Sequence, residues 1–352
     1  VDLRQELQEG NRSIFSRKLQ ELMTDRLNKG QQTILFLNRR GYAGFVSCRS
    51  CGEVMKCPHC DVSLSEHKGG RLICHYCGYT QPMPKLCPKC GSKYILGFKA
   101  GTQQIEEKLK ELYPGVRTLR MDADTTRTKD SYEKILSSFA NGEADVLIGT
   151  QMIVKGHDFP KVTLVGILAA DLSLNASDYR AGERTFQLLT QAVGRAGRGA
   201  LPGEAVIQTY QPDHYAITCA AAQDYESFYQ EEILYRELSG SPPVAHMLAV
   251  QIYGKEEENV KQLALRLTDV VKSNMDFLSG KQKEQSNKKI QVLGPAPANI
   301  SKINDIYRYV FYVKHAEYDV LVEVKDRLEE TLRQWQPRQM SIQFDFDPVS
   351  VL

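Results

Sequence analysis

A chain of 352 residues with a formal net charge of +2 and 42% hydrophobic residues can bury a sizeable core. At roughly 100 to 200 residues per domain it should hold two or three units. No apolar run approaches the roughly 18 residues of a membrane span, and the opening VDLRQELQEG carries neither a basic n-region nor an apolar h-region, so the reading is a cytosolic protein. The near-balance of charge neither demands nor excludes a nucleic-acid partner. The chain does not begin with Met, which suits a piece of a longer protein.

Between residues 13 and 29, Phe15, Leu19, Leu22, Met23 and Leu27 share one helical face and Gly30 follows, which predicts an amphipathic helix. The run TILFL, Thr33 to Leu37, ends in NRRGY and reads as a buried parallel strand with its loop. Beyond a stretch dense in cysteine come a helix from about Thr102, a strand at Val116 to Arg120, a helix around Tyr132 to Phe139 and a strand at Asp145 to Gly149. A strand at Val162 to Leu168, a helix around Glu183 to Val193 and a strand at Glu204 to Tyr210 continue the alternation. This order predicts a doubly wound α/β lobe, its parallel sheet covered by helices on both faces.

One polar helix is predicted over Asp213 to Leu238, and SGSPP (Ser239 to Pro243) marks a boundary. The order then changes. Strand LAVQIYG precedes a helix with Val260, Leu263, Ala264, Leu267, Val270 and Val271 at helical spacing. Strands IQVLG and YRYVFYV, a helix bearing Leu321, Val324, Leu328, Leu332 and Trp335, and strand SIQFDFD follow. This β-α-β-β-α-β succession predicts an α+β ferredoxin-like domain, with Gly280 to Lys289 as a solvated loop. The expected domains are 1–45 with 99–238, an insertion at 46–98, and 239–352.

Eight of the nine cysteines form four C-x2-C pairs between Cys48 and Cys90. In a reducing compartment such pairs argue for zinc rather than disulfides, and four of them supply two closed tetrahedral sites. Separations of 5, 13 and 9 residues favour a nested pairing, with Cys57, Cys60, Cys74 and Cys77 inside and Cys48, Cys51, Cys87 and Cys90 outside. Sequential and crossed pairings stay open on spacing alone. Over Val46 to Phe98, seven Lys and Arg face three Asp and Glu, so eight thiolates and two zinc ions leave the segment neutral. Four redox pairs this close would cross-link. Since every pair is complete, His59, His67 and His75 read as surface or supporting residues. An outer site joining Cys48 to Cys90 lets the insertion leave the lobe where it entered.

QAVGRAGRG, Gln191 to Gly199, sets Arg195 and Arg198 about one helical turn apart among small residues. Paired guanidiniums suit a polyphosphate; the bland alternative is a Gly-rich helix end with solvated arginines. The segment resembles motif VI of superfamily 2 helicases. IGTQMIVKGHDFPKVTLV, Ile148 to Val165, resembles motif V in the form found in the PriA family of primosomal replication-restart helicases. LFLNRRGYA before a four-pair cysteine insertion, GTQQIEEKL after it, VLGPAPA and a closing DFDP resemble that family in the same order, over nearly the whole chain.

The resemblance implies a second RecA-like helicase lobe with an inserted two-zinc module, followed by an S10-like domain. It also implies a part in ATP-dependent 3′-to-5′ DNA unwinding at stalled forks and D-loops, leading to primosome assembly. Arg195 and Arg198 would then reach the phosphates of ATP held by another lobe, with Gln191 coupling that contact to closure. Gly156 and Asp158 would lie at the nucleotide edge, and Thr102, Thr150 and Gln151 would hold phosphates of one DNA strand. The family's two zinc ions sit in the nested sets. Thr102 as a helix cap and Asp158 as an ordinary turn residue are the bland readings. No G-x-x-x-x-G-K-[ST] or D-E-x-H element occurs, so ATP and Mg2+ belong with a first lobe, and the isolated chain is expected to be inactive.

Implied partners are branched and single-stranded DNA, the tail of single-stranded DNA-binding protein, primosome and helicase-loading proteins, and a regulatory or phage-encoded protein. From Gly240 onward 15 Lys and Arg balance 15 Asp and Glu, so local placement must decide. Lys302, Arg308 and Lys314 flank YRYVFYV as candidate DNA contacts. Tyr307, Tyr309 and Phe311 alternate onto one face, read as core rather than as a base-stacking platform. Two other readings compete: a non-catalytic zinc module for nucleic-acid or protein binding, and a branch-migration translocase. A mere scaffold needs neither the paired arginines nor the GTQ…KGHD loop.

Overall fold

A computed structural model describes residues 1–37, 46–59, 63–67, 70–74, 77–97, 101–122, 125–126, 129–154, 158–175, 178–273 and 290–349. Helices α1 (Leu3–Gln8) and α2 (Arg17–Asn28) precede strand β1 (Gln32–Leu37). Among its described residues the cysteine-bearing stretch holds only short strands: β2 (Val46–Cys48), β3 (Ser65–His67), β4 (Arg71–Ile73), β5 (Thr80–Pro82) and β6 (Ile95–Gly97). Then come α3 (Thr102–Leu112), β7 (Thr118–Met121), α4 (Lys129–Ala140), β8 (Val146–Gly149), β9 (Val162–Leu168), α5 (Asp171–Leu174), α6 (Ala181–Val193) and β10 (Glu204–Ile207). The remainder is α7 (Tyr215–Ala222), α8 (Tyr225–Ser239), β11 (His246–Gly254), α9 (Glu257–Ser273), β12 (Gln291–Ile303), β13 (Ile306–His315), α10 (Tyr318–Trp335) and β14 (Met340–Phe346).

The five strands β10-β9-β1-β8-β7 form one parallel sheet in that order. Its central strands are buried at every position because both faces are covered. On β1, Ile34 and Phe36 join a core with Leu147, Val165, Ile167, Phe139 and Leu189. The alternate residues Leu35 and Leu37 join a second core with Phe15, Leu19, Met23, Ile105 and Leu164. Each such side chain contributes about 1.5 to 3 kcal/mol by leaving water. Helix α2 starts later than the periodicity suggests. Ser16 caps it by accepting from the Leu19 N–H, and Phe15 is buried just ahead of the cap. The short helix α1, capped by Asp2, has no periodic signal in the sequence.

The second sheet is antiparallel in the order β12-β13-β11-β14, the ferredoxin-like arrangement. Leu248, Val250 and Ile252 of β11, and Tyr309, Phe311 and Val313 of β13, face Val260 and Leu267 of α9 and Leu321, Val324 and Leu328 of α10. The aromatic face of YRYVFYV is therefore core. The polar stretch 280–289 lies outside the described residues.

One element differs from expectation. The single helix over 213–238 is two, because Gln223 adopts a left-handed conformation (φ 55°, ψ 32°) after α7. Asp224 then begins α8, accepting from the Ser227 N–H at 3.0 Å and the Ser227 hydroxyl at 2.6 Å, a strong N-cap signature. Helix α7 buries Ala216, Ile217, Cys219 and Ala220, whereas most of α8 is exposed.

The chain divides into two compact units. One comprises Val1–Met55, Pro84–Ala176 and Ala181–Tyr229; the other comprises Lys56–Met83, Ser177–Arg180 and Gln230–Leu352. The cysteine-bearing stretch thus contributes to both.

Candidate metal centre and arginine site

Three of the four C-x2-C pairs fold into the same knuckle. After Cys48, Cys74 and Cys87, the N–H of Gly52, Gly78 and Gly91 donates back to the first cysteine's carbonyl at 2.9 Å in each case. Those glycines take φ of 76°, 78° and 71°, values that a residue with a Cβ adopts only with strain. C-x2-C-G is the signal, present at CRSCG, CHYCG and CPKCG but replaced by CPHCD at the fourth pair. Antiparallel pairing of β2 with β6 opposes Cys48 to Ile95 and brings the first and last knuckles together.

The sulfurs of Cys48, Cys51, Cys87 and Cys90 all lie within 4.8 Å of one another, as do those of Cys57, Cys74 and Cys77. Cys60, expected as the eighth ligand, lies outside the described residues. Separations are 3.6 Å for Cys48–Cys90, 3.7 Å for Cys51–Cys87 and 3.6 Å for Cys57–Cys77. A tetrahedron with metal–sulfur bonds of about 2.3 Å has edges of about 3.8 Å, whereas a disulfide would hold its sulfurs at about 2.0 Å. The donor set and its spacing therefore fit zinc, in nested groups. Burial opposes ionisation of Cys48, but the backbone N–H groups of Cys51 and Ser50 and the neighbouring thiols outweigh it and bring the thiol down to about 7. Burial pushes the Cys51 thiol up to about 12. Four thiolates held this close would repel one another, so a dication is what lets them share the site. His59 packs edge-on against Tyr79 at 5.5 Å between ring centroids, away from any ligand role.

Arg195 and Arg198 lie in the turn that follows α6, one step beyond the helix that their spacing suggested. That turn is held by backbone contact between glycines. A Cβ on Gly197 would stand 2.4 Å from the Gly203 nitrogen, and one on Gly199 2.5 Å from the Pro160 carbonyl oxygen. Arg198 donates from Nε to the Gly194 carbonyl at 2.9 Å and places Nη1 3.6 Å from Asp158. Burial lowers the pKa of Arg195, and the Arg198 charge lowers it further, while Asp158 works in the opposite sense. Two guanidiniums close enough to repel beside one exposed carboxylate make a locus for an anion. Gln191 is exposed on the last turn of α6, and Gly156 lies outside the described residues.

Thr102 and Thr150 gather round the carboxyl end of β7. Gly101 occupies the cap position of α3, so Thr102 is the first helical residue and not its cap. Its hydroxyl donates to Asp122 at 2.6 Å, and Arg120 Nε stands 3.2 Å from the same carboxylate. The Thr150 N–H donates to the Met121 carbonyl at 3.3 Å, next door to Asp122, and half-buried Gln151 follows. Strand ends of this kind are where doubly wound sheets bind ligands. Asp122 was missed in the sequence because an acidic residue after a strand carries no spacing signal of its own.

Lys302 and Arg308 sit elsewhere, on the antiparallel sheet. The Lys302 ammonium is 2.8 Å from Asp305 and 4.8 Å from the Tyr307 ring centroid. The Arg308 guanidinium is 5.7 Å from that of Tyr253. Lys314 is buried and donates to the Ser241 hydroxyl at 3.1 Å and the Ser239 carbonyl at 3.2 Å, so it does not present its charge to a surface ligand.

Three family descriptions match the chain: "Helicase conserved C-terminal domain" over residues 86–200, "PriA DNA helicase Cys-rich region (CRR) domain" over 57–82, and "Primosomal protein N C-terminal domain" over 237–349. Replication restart protein PriA of Bacillus subtilis is 44% identical over all of this chain and 43% of its own length. That of Synechocystis is 42% identical over all of this chain and 41% of its own. That of Haemophilus influenzae is 35% identical over 97% of this chain and 44% of its own. The chain thus spans less than half the length of these relatives. With the helicase domain, the Cys-rich region and the C-terminal domain all matched within one chain, it belongs to the PriA family of replication restart proteins.

Proposed function

We propose that this chain is the carboxy-terminal portion of an ATP-dependent 3′-to-5′ DNA helicase that recognises stalled forks and D-loops and restarts replication by primosome assembly. Residues 1–45 with 99–238 act as the second motor lobe, 46–98 as the zinc-binding insertion, and 239–352 as a domain for DNA and partner binding. The observation that carries this reading is the pair Arg195 and Arg198, with Arg198 3.6 Å from Asp158, on a stretch fixed by close backbone packing at Gly197 and Gly199. ATP and Mg2+ enter with a first lobe, since the chain itself has no phosphate-binding G-x-x-x-x-G-K-[ST] loop.

In this reading closure brings a nucleotide against the turn after α6. Its phosphates replace Asp158 as the partner of Arg198 and relieve the repulsion felt by Arg195, which stabilises charge developing on the transferred phosphoryl group. Gln191 reports closure, and Gly156 and Asp158 border the nucleotide. Thr102, Thr150 and Gln151 hold the backbone of one strand, and Lys302 and Arg308 touch the fork. Zinc in the two thiolate sets is structural. The partners are branched and single-stranded DNA, single-stranded DNA-binding protein, helicase-loading proteins and a regulatory or phage-encoded protein, in the cytoplasm at the nucleoid.

The test is DNA-stimulated ATP hydrolysis and fork unwinding by the full-length protein with Arg195→Ala and Arg198→Ala. Each variant should lose on the order of 10^3-fold in turnover while binding forked DNA as the parent does. Retention of the parental rate, or ATP hydrolysis by the isolated chain, would sink the reading.

A further inference from the structure

The division of the chain into two compact units runs through the cysteine cluster, and it separates the two metal sets. The chain passes from one unit to the other at Met55/Lys56 and returns at Met83/Pro84. Cys48, Cys51, Cys87 and Cys90 therefore belong with the parallel sheet, and Cys57, Cys74 and Cys77 with the antiparallel one.

In each set the glycine of the knuckle packs against its own unit, tightly at Gly52 and at ordinary contact distance at Gly78. In the outer set, Gly52 brings its backbone so close to the residue after Thr209 that a Cβ would stand 2.5 Å from the Tyr210 carbonyl oxygen. Beside it Arg49, between the first two ligands, donates to the Tyr210 hydroxyl at 2.8 Å, its guanidinium 5.2 Å from the ring centroid. The Tyr210 N–H donates in turn to the buried Asp171 carboxylate at 3.0 Å, which also accepts from the Thr209 hydroxyl at 2.8 Å. The outer knuckle thus rests on the loop after β10, which Asp171 ties to α5.

In the inner set, a Cβ on Gly78 would lie 3.4 Å from the Pro295 carbonyl oxygen and 3.8 Å from the Ala296 Cβ, on edge strand β12. Helices α9 and α10 cover only one face of that sheet. A four-stranded antiparallel sheet with helices on one side leaves its other face to water, yet Met247, Ala249, Ala296, Val310 and Tyr312, which point that way, are buried. The contact of Gly78 with Pro295 and Ala296 seats the inner ribbon at the edge of this second face.

We propose that the two metal sites are independent staples of different bodies: the outer one fixes the Tyr210–Asp171 corner of the motor lobe, and the inner one holds a ribbon as the second layer of the C-terminal sheet. Losing one metal loosens one body and leaves the other intact.

The test uses the full-length protein carrying Cys90→Ser or Cys77→Ser, each a ligand with some exposure, read by zinc release to a colorimetric chelator and by amide hydrogen exchange. Cys77→Ser should lose about one metal equivalent and speed exchange about tenfold or more over Gln291–Ile303 and Ile306–His315, with Glu204–Ile207 and Asp171–Leu174 unchanged. Cys90→Ser should do the converse. Faster exchange in both regions from either variant overturns the proposal, as does Cys77→Ser with unaltered exchange in β12 and β13. Should a cysteine variant fail to fold, Gly52→Ala and Gly78→Ala, which keep every ligand, must show the same division of effects; a shared effect rejects it.

Discussion

Replacing Phe311 by Ala decides whether the aromatic strand of the C-terminal domain packs a core or stacks bases. Its ring is fully buried among Val250, Leu267, Leu321 and Leu328. Truncating such a phenylalanine removes its transfer free energy and leaves a cavity, a loss of about 3 to 5 kcal/mol. For a unit of this size each kcal/mol lowers Tm by about 2 to 4 °C, so the expected shift is on the order of 10 °C. Trp335, the single tryptophan of the chain, packs against this same core and beneath Arg266 at 4.0 Å, and its fluorescence on heating isolates this unit from the motor lobe. Tyr309→Phe is the control. Its hydroxyl is only 3.4 Å from Glu257, so the change should stay within about 1 kcal/mol. A Phe311→Ala protein with parental Tm and weakened binding to forked DNA would refute the reasoning, because it would place the ring against a ligand.

Burial raises the Asp171 pKa against the donors Tyr210 and Thr209. A carboxyl raised on folding contributes stability that is fully present below its unfolded pKa and is lost as pH rises from there through the folded pKa. The Tm difference between the parent and Asp171→Asn should therefore favour the parent more at about pH 5 than at about pH 8, as differential scanning calorimetry would show. Gly91 takes a left-handed φ of 71° with nothing near its missing Cβ, so Gly91→Asn should keep its zinc and lose no more than about 1 kcal/mol. Gly52→Asn, blocked by the Tyr210 carbonyl, should lose metal to a chelator faster. Lys314→Met should lower the Tm by a few degrees, through its lost bonds to Ser239 and Ser241, while fluorescence anisotropy shows unchanged affinity for forked DNA. A tenfold weaker fork affinity would return that lysine to the DNA surface.

Elements whose cause is local were legible. The run TILFL sets four apolar residues in succession after Thr33, as a strand buried on both faces needs; it became the centre of the parallel sheet. The β-α-β-β-α-β succession likewise led to a sheet of the expected topology. The reading failed where composition disguised a break. Over 213–238 helix-forming residues run without Gly or Pro, and the interruption at Gln223 rests on a cap, Asp224 with Ser227, whose strength is visible only once the chain has turned. Helix α2 shows the same effect in small, since Ser16 and not the apolar period sets its start.

At the site, residue type was legible and partnership was not. The cysteines declare a metal by their pairs, and C-x2-C-G declares a left-handed turn, because both follow from chemistry within five residues. Arg198 with Asp158, Thr102 with Asp122 and Arg49 with Tyr210 join positions far apart in the chain, and nothing in the spacing of either partner announces the other. Each pairing also alters what its residue can do. Asp158 stands beside Arg198, and Asp122 engages the Thr102 hydroxyl as a donor to a carboxylate, so any other acceptor reaching that strand end must use backbone N–H groups or displace it. A motif therefore specifies which groups are present, while the sheet that carries them determines which are already engaged.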